Sequence, residues 1–200
     1  MSKRELITAE LERVGMRRGM YCRSAQIAKR EAPAPEGGKP PIIPWILATE
    51  QPVMMFCWQR YEFWPEVLVA AGMTAPSQVP LIDTHMRYSI DYMLGSVADF
   101  SLDKTGEYAA NAGNVRLSAT AEKATTLINE GHLIDGSVGY VEDEAWYVTD
   151  DMTTVINGIA YVGPVKVVTK WRLQEFSLTP IGADALAKIK RMITEDKTNV

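Results

Sequence analysis

Two histidines, His85 and His132, are the only side chains of the 200-residue sequence whose ordinary pKa, near 6.5, suits proton transfer at neutral pH. Five residues after His132 comes Gly136-Ser137-Val138-Gly139. Glycines flanking a serine relieve crowding and let a backbone or a substrate approach the hydroxyl. A serine nucleophile needs that access, together with a histidine to take its proton and a third group to fix the tautomer of that histidine. His85, read as the end of a strand with a polar flank, is the better base. His132, beside a helix end, is placed to interact with the dipole of that helix. A tight turn into a strand accounts for the glycines around Ser137 equally well. Asp83 and His85 offer different chemistry. Two residues apart in a strand, they would share a face, and with His132 and a distant carboxylate they could build a zinc site. The sequence has no His-Glu-x-x-His and no cysteine cluster to strengthen that reading.

The elements that must position these groups alternate between strands and single helices. Strands are predicted over 46–49, 53–58, 79–85, 94–102, 107–119, 138–141, 146–148 and 165–178. The aromatic and acidic stretch 61–68 reads as a packed corner of the core. Turns are expected at 103–106, at an acidic stretch before Trp146, and in a loop from Asp150 that contains Asn157-Gly158. One helix carries Ala121, Ala124, Leu127 and Ile128 and closes at Gly131. A second, amphipathic helix is expected over 183–193, and Ser2 with Glu5 forms a capping box that opens a third at the N-terminus. The fold class is therefore α+β: a β-rich mixed or antiparallel sheet or barrel, flanked by a few helices. Residues 1–44 read as a basic N-terminal helix or arm followed by a Pro-rich linker, and 45–200 as the folded domain.

Composition narrows the classes. A net charge of −4 and a pI near 5.3 argue against a general nucleic-acid binder. No apolar run is long enough to span a bilayer, and the N-terminus leads into no signal-peptide core. The two cysteines, Cys22 and Cys57, read as reduced thiols of a cytoplasmic protein. The run from Arg13 to Arg30 contains no acidic residue, so it reads as a solvated face or as an arm for an acidic partner.

Three blocks appear in order: Pro80-Leu81-Ile82-Asp83-Thr84-His85, then Leu133-Ile134-Asp135-Gly136-Ser137-Val138-Gly139-Tyr140, then Trp171 through Ala185 with its Glu175-Phe176-Ser177-Leu178 core and Pro180. Together they resemble the prohead (procapsid maturation) serine proteases of tailed bacteriophages, a family similar in fold to the herpesvirus assembly proteases. The resemblance covers roughly 45–190. It implies His85 as general base, Ser137 as nucleophile and Glu175 as third member, with His132 and Asp83 as rivals for that third place. It implies no cofactor. The substrates it implies are scaffolding protein, the scaffold-like part of the major capsid protein and the protease itself, with self-association possible. The location it implies is the host cytoplasm, inside the assembling procapsid. The chain departs from the family pattern where Met86-Arg87 follow the histidine in place of an aspartate, and where Ile-Gly-Ala stands for the usual Pro-Ala. Two other classes compete: a non-catalytic assembly module of the same fold, and a metallohydrolase using Asp83, His85 and His132.

Overall fold

The computed structural model describes residues 42–57 and 60–188. The predicted N-terminal helix, the basic run and Cys22 lie outside them, as does the end of the predicted C-terminal helix. The described residues form eleven strands: β1 (Ile42–Thr49), β2 (Val53–Cys57), β3 (Glu62–Leu68), β4 (Met73–Thr74), β5 (Gln78–Asp83), β6 (Met93–Asp103), β7 (Ala110–Leu117), β8 (Asp135–Val148), β9 (Thr153–Ile156), β10 (Ile159–Val162) and β11 (Val165–Thr179). One α-helix, α1 (Glu122–Asn129), joins β7 to β8 and closes with Gly131 at φ +78°, where the left-handed turn favours glycine.

The spine is β11. Val165, Val167, Val168, Trp171, Leu173, Phe176 and Leu178 give it a long β-branched and aromatic stretch, suited to pairing on both edges. One edge pairs antiparallel with β8 from Val165↔Val148 to Thr179↔Asp135. The other takes β3, β4 and β5 in succession, all parallel. From β5 the sheet continues antiparallel through β6 and β7 to β1. Lys188 closes the circuit: it bridges Asp135 at the start of β8, and its carbonyl accepts from the Ile46 N–H of β1. The mixed sheet therefore curls into a barrel. Trp45, Leu47, Leu81, Val97, Val115, Leu117, Trp171 and Phe176 fill its interior, with Ala124 and Ile128 of α1 packed into the same core.

Several expectations are corrected. The stretch 61–68 packs only in part: β3 pairs with β2, Trp64, Glu66 and Val67 are buried, and Tyr61 and Phe63 lie on the surface against Phe56. The acidic stretch before Trp146 makes no turn. β8 continues through it, with Asp143 as an extra residue between the Glu142 and Glu144 pairs, because the neighbouring strand supplies cations: Lys166 to Glu142, Arg172 to Asp143 and Lys170 to Glu144. The loop containing Asn157-Gly158 is a hairpin, with β9 and β10 paired across that turn. Of the predicted 183–193 helix, the described part is a turn. Asp184 accepts the Leu186 N–H at 2.9 Å and the Thr49 N–H at 2.6 Å, so its carboxylate draws the backbone out of helical pairing. α1 is thus the one α-helix among the described residues, consistent with the β-rich α+β class.

Candidate active site

The pairing of β11 with β8 shifts register at Val168/Lys170, at Lys170/Trp171 and at Leu173/Glu175, and the site depends on the last of these. Trp171 and Leu173 point into the barrel, and so do Phe176 and Leu178. A regular strand cannot place 173 and 176 on one face. A bulge resolves the conflict: Leu173 stands opposite Tyr140, and the next partners are Glu175 and Gly139, leaving Gln174 as the extra residue. Beyond the bulge the phase is reversed, so Glu175 and Ser177 face outward while Phe176 and Leu178 remain in the core.

A second irregularity meets the first. β5 ends at Asp83, and Thr84 and His85 both take left-handed backbone conformations, φ +41° and +60°. For a β-branched threonine this is strained, at a cost of order 1–3 kcal/mol. Hydrogen bonds fix the turn: Thr84 N–H donates to the Leu178 carbonyl at 3.1 Å and Met86 N–H to the Asp83 carbonyl at 2.8 Å. His85 is therefore not the last residue of a strand, as the sequence suggests. It is folded back over β11.

The result is a compact network around Glu175, whose residue is 3% exposed. His85 Nδ1 lies 2.7 Å from Oε1, and Arg87 Nη2 donates to the same oxygen at 3.3 Å. Ser177 Oγ–H donates to Oε2 at 2.9 Å and accepts the His85 backbone N–H at 2.9 Å. An ionised carboxylate only accepts, so the proton of neutral His85 is assigned to Nδ1, leaving the Nε2 lone pair open. The His85 side chain is 39% exposed, so the ring is anchored on its buried side and accessible on the other.

Ser137 stands on β8 directly opposite Ser177, as Gly139 stands opposite Glu175. Residues directly opposed across antiparallel strands have Cβ atoms about 4.5–5.5 Å apart, so the Ser137 hydroxyl adjoins the network. It is half-buried and also borders a cleft lined by Leu47, Thr49, Val138, Tyr140 and Asp184. Among the described residues, no hydrogen bond joins Ser137 to His85.

The flanking glycines have a physical reason that the sequence alone does not reveal. A Cβ at 139 would overlap the Glu175 carboxylate, and a Cβ at 136 would overlap the Phe176 ring. They make room for β11 side chains across the sheet. The remaining sequence candidates lie apart: His132 is exposed with Nε2 3.6 Å from the Glu130 carboxylate, and Asp83 is exposed at the end of β5. Asp83, His85 and His132 do not converge, and among the described residues no three His, Cys, Asp or Glu side chains form a metal-binding group. The sequence reading missed Arg87 and Ser177 as partners of Glu175. Arg87, two residues after His85, was the available signal for the first.

A second buried polar cluster lies on the N-terminal half of β11. Lys166 Nζ lies 2.8 Å from Glu66 and also contacts Glu142, and Tyr140 donates to Glu66. Burial pulls the Lys166 pKa down, but the Glu142 and Glu66 carboxylates outweigh it and hold the ammonium above its ordinary value. This cluster is structural: it neutralises charge where β3, β8 and β11 meet.

Compared with known proteins, the chain matches no family model, no curated protein and no solved structure.

Proposed function

We propose that this chain is a serine endopeptidase, with Ser137 as nucleophile, His85 as general base and Glu175 as the group that orients the base. The observation that carries the reading is the 2.7 Å contact between His85 Nδ1 and the buried carboxylate of Glu175, with a serine on the adjoining strand. That pairing is what a histidine base requires: a fixed tautomer, a stabilised imidazolium and an accessible Nε2. In the reaction, Nε2 takes the Ser137 proton as Oγ attacks a peptide carbonyl, then returns it to the leaving amine. Water repeats the sequence on the acyl-enzyme. On the resemblance to phage procapsid maturation proteases, the substrates are scaffolding protein, major capsid protein and the enzyme itself, cleaved inside the assembling shell. Among the described residues no helix is long and apolar enough to cross a membrane.

A non-catalytic assembly module is the second reading, and the missing His85–Ser137 hydrogen bond favours it. Apo geometry is often looser than that of the reacting complex, so the distinction is experimental. The test is labelling with a fluorophosphonate, read by intact mass and peptide mapping, alongside incubation with capsid and scaffold proteins. A single adduct on Ser137, lost in His85→Ala, and fragments that vanish in Ser137→Ala support the protease. An unlabelled chain that leaves its partners intact supports the module.

A further inference from the structure

We infer that Ser177, buried and out of reach of any substrate, is a positioning residue for the His85 base, tying the backbone of its strained turn to the Glu175 carboxylate. This rests on the protease reading above. Ser177 has no exposed surface, so it acts through its neighbours. Its Oγ uses both of its capacities on the site, accepting from the His85 N–H and donating to Glu175 Oε2, each at 2.9 Å. The acceptor side holds a left-handed histidine at φ +60° that follows a left-handed threonine, a backbone that persists only where its surroundings fix it. The donor side occupies the carboxylate oxygen that His85 does not use, which restricts rotation of the carboxylate and keeps Oε1 aimed at Nδ1. The extra residue in the β11 bulge gives Ser177 this outward placement, in the same phase as Glu175. One hydroxyl thus sets the position of both partners of the His–Glu pair.

The test measures two quantities in Ser177→Ala and Ser177→Thr: the ring tautomer of neutral His85, from its ¹⁵N chemical shifts, and the rate of Ser137 labelling by a fluorophosphonate. Expected in Ser177→Ala is a shift of His85 from the Nδ1–H toward the Nε2–H form, with labelling slowed about 10–100-fold, the size of a lost hydrogen bond to a charged group. Ser177→Thr, which keeps the hydroxyl, should restore both. An unchanged tautomer and rate in Ser177→Ala would overturn the inference while leaving the protease reading intact. Should the wild type itself resist labelling, the protease reading falls and the tautomer shift alone decides whether Ser177 positions His85. Ser177→Cys, close in volume to serine and a weak donor, carries the same measurements if the alanine variant does not fold.

Discussion

The carboxylate of Glu175 occupies the space that a side chain at residue 139 would fill. Gly139 and Glu175 face each other across β8 and β11, so the absence of a Cβ on one strand is what lets the acid lie flat beneath His85. Gly139→Ala should displace the carboxylate, break its contact with His85 and cost about 1–3 kcal/mol through overpacking. Chemical denaturation of Gly139→Ala, Glu175→Ala and the double variant would measure this. The two losses should be strongly less than additive, because removing the carboxylate removes the clash. Simple additivity would show that the residues do not compete for space.

How much of this was legible in the sequence differs from element to element. β5, β6, β7 and β11 are visible as alternating or β-branched runs, and α1 is visible from its 3.6-residue spacing and closing glycine, because local pattern and tertiary burial agree there. β8 is misread at its acidic stretch, since Glu142, Asp143 and Glu144 suit a strand only when Lys166, Arg172 and Lys170 of the neighbouring strand reach them, more than twenty positions along the chain. Glu175 and His85 could be named as partners from motif order. Ser177 could not, because its role depends on a bulge, and no residue type at Gln174 signals one.

That bulge supports a second prediction. Deleting Gln174 restores regular alternation, so either Phe176 and Leu178 leave the core or Glu175 and Ser177 enter it. Each fully buried apolar side chain turned outward costs roughly 1.5–3 kcal/mol, and a buried unpaired carboxylate costs several more. The deletion variant should lose cooperative thermal unfolding and near-ultraviolet circular dichroism, whereas Gln174→Ala, which keeps the count, should retain both. A deletion variant that melts like the wild type would mean the phase of β11 is not set at Gln174.

The polar cluster on the other half of β11 should be far less forgiving than a surface ion pair. Lys166→Met leaves Glu66, itself 6% exposed, without its cation, and breaking a buried pair from one side costs about 3–5 kcal/mol. Adding Glu66→Gln, which still accepts from Tyr140, should recover part of that loss. Urea unfolding of the three chains decides the point. A loss below about 1 kcal/mol in Lys166→Met would place the pair with exposed salt bridges.

Stability should also carry a pH signature from Asp184. Burial raises its pKa above the ordinary aspartate value, against the hydrogen bonds from Leu186, Thr49 and Ala187 that lower it. An acid whose folded pKa is raised binds its proton more tightly when folded. Its contribution to stability is therefore most favourable below the unfolded pKa, near 3.9, and is lost as pH rises through the folded value. Asp184→Asn cannot titrate. The difference in Tm between Asp184→Asn and wild type should become more positive from pH 4 to pH 7. A flat or falling difference would show that Asp184 ionises in the folded chain as easily as in the unfolded one.

The last prediction concerns the tautomer on which the proposed chemistry depends. Glu175 accepts from His85 Nδ1, Arg87 and Ser177, so its oxygens face only donors. Glu175→Gln keeps the shape but brings an NH₂ group into a place built for acceptors. If that amide turns toward His85, Nδ1 must become the acceptor and the proton moves to Nε2, where it blocks attack by Ser137. Labelling of Ser137 by a fluorophosphonate should fall roughly 10³–10⁴-fold, the size seen when a triad carboxylate becomes an amide, while the Tm changes little. Glu175→Asp keeps the charge and shortens the reach, so its loss should be smaller and its ¹⁵N signature should remain that of Nδ1–H. Labelling of Glu175→Gln at the wild-type rate would show that Glu175 does not orient the base, and the third place in the constellation would have to be filled elsewhere.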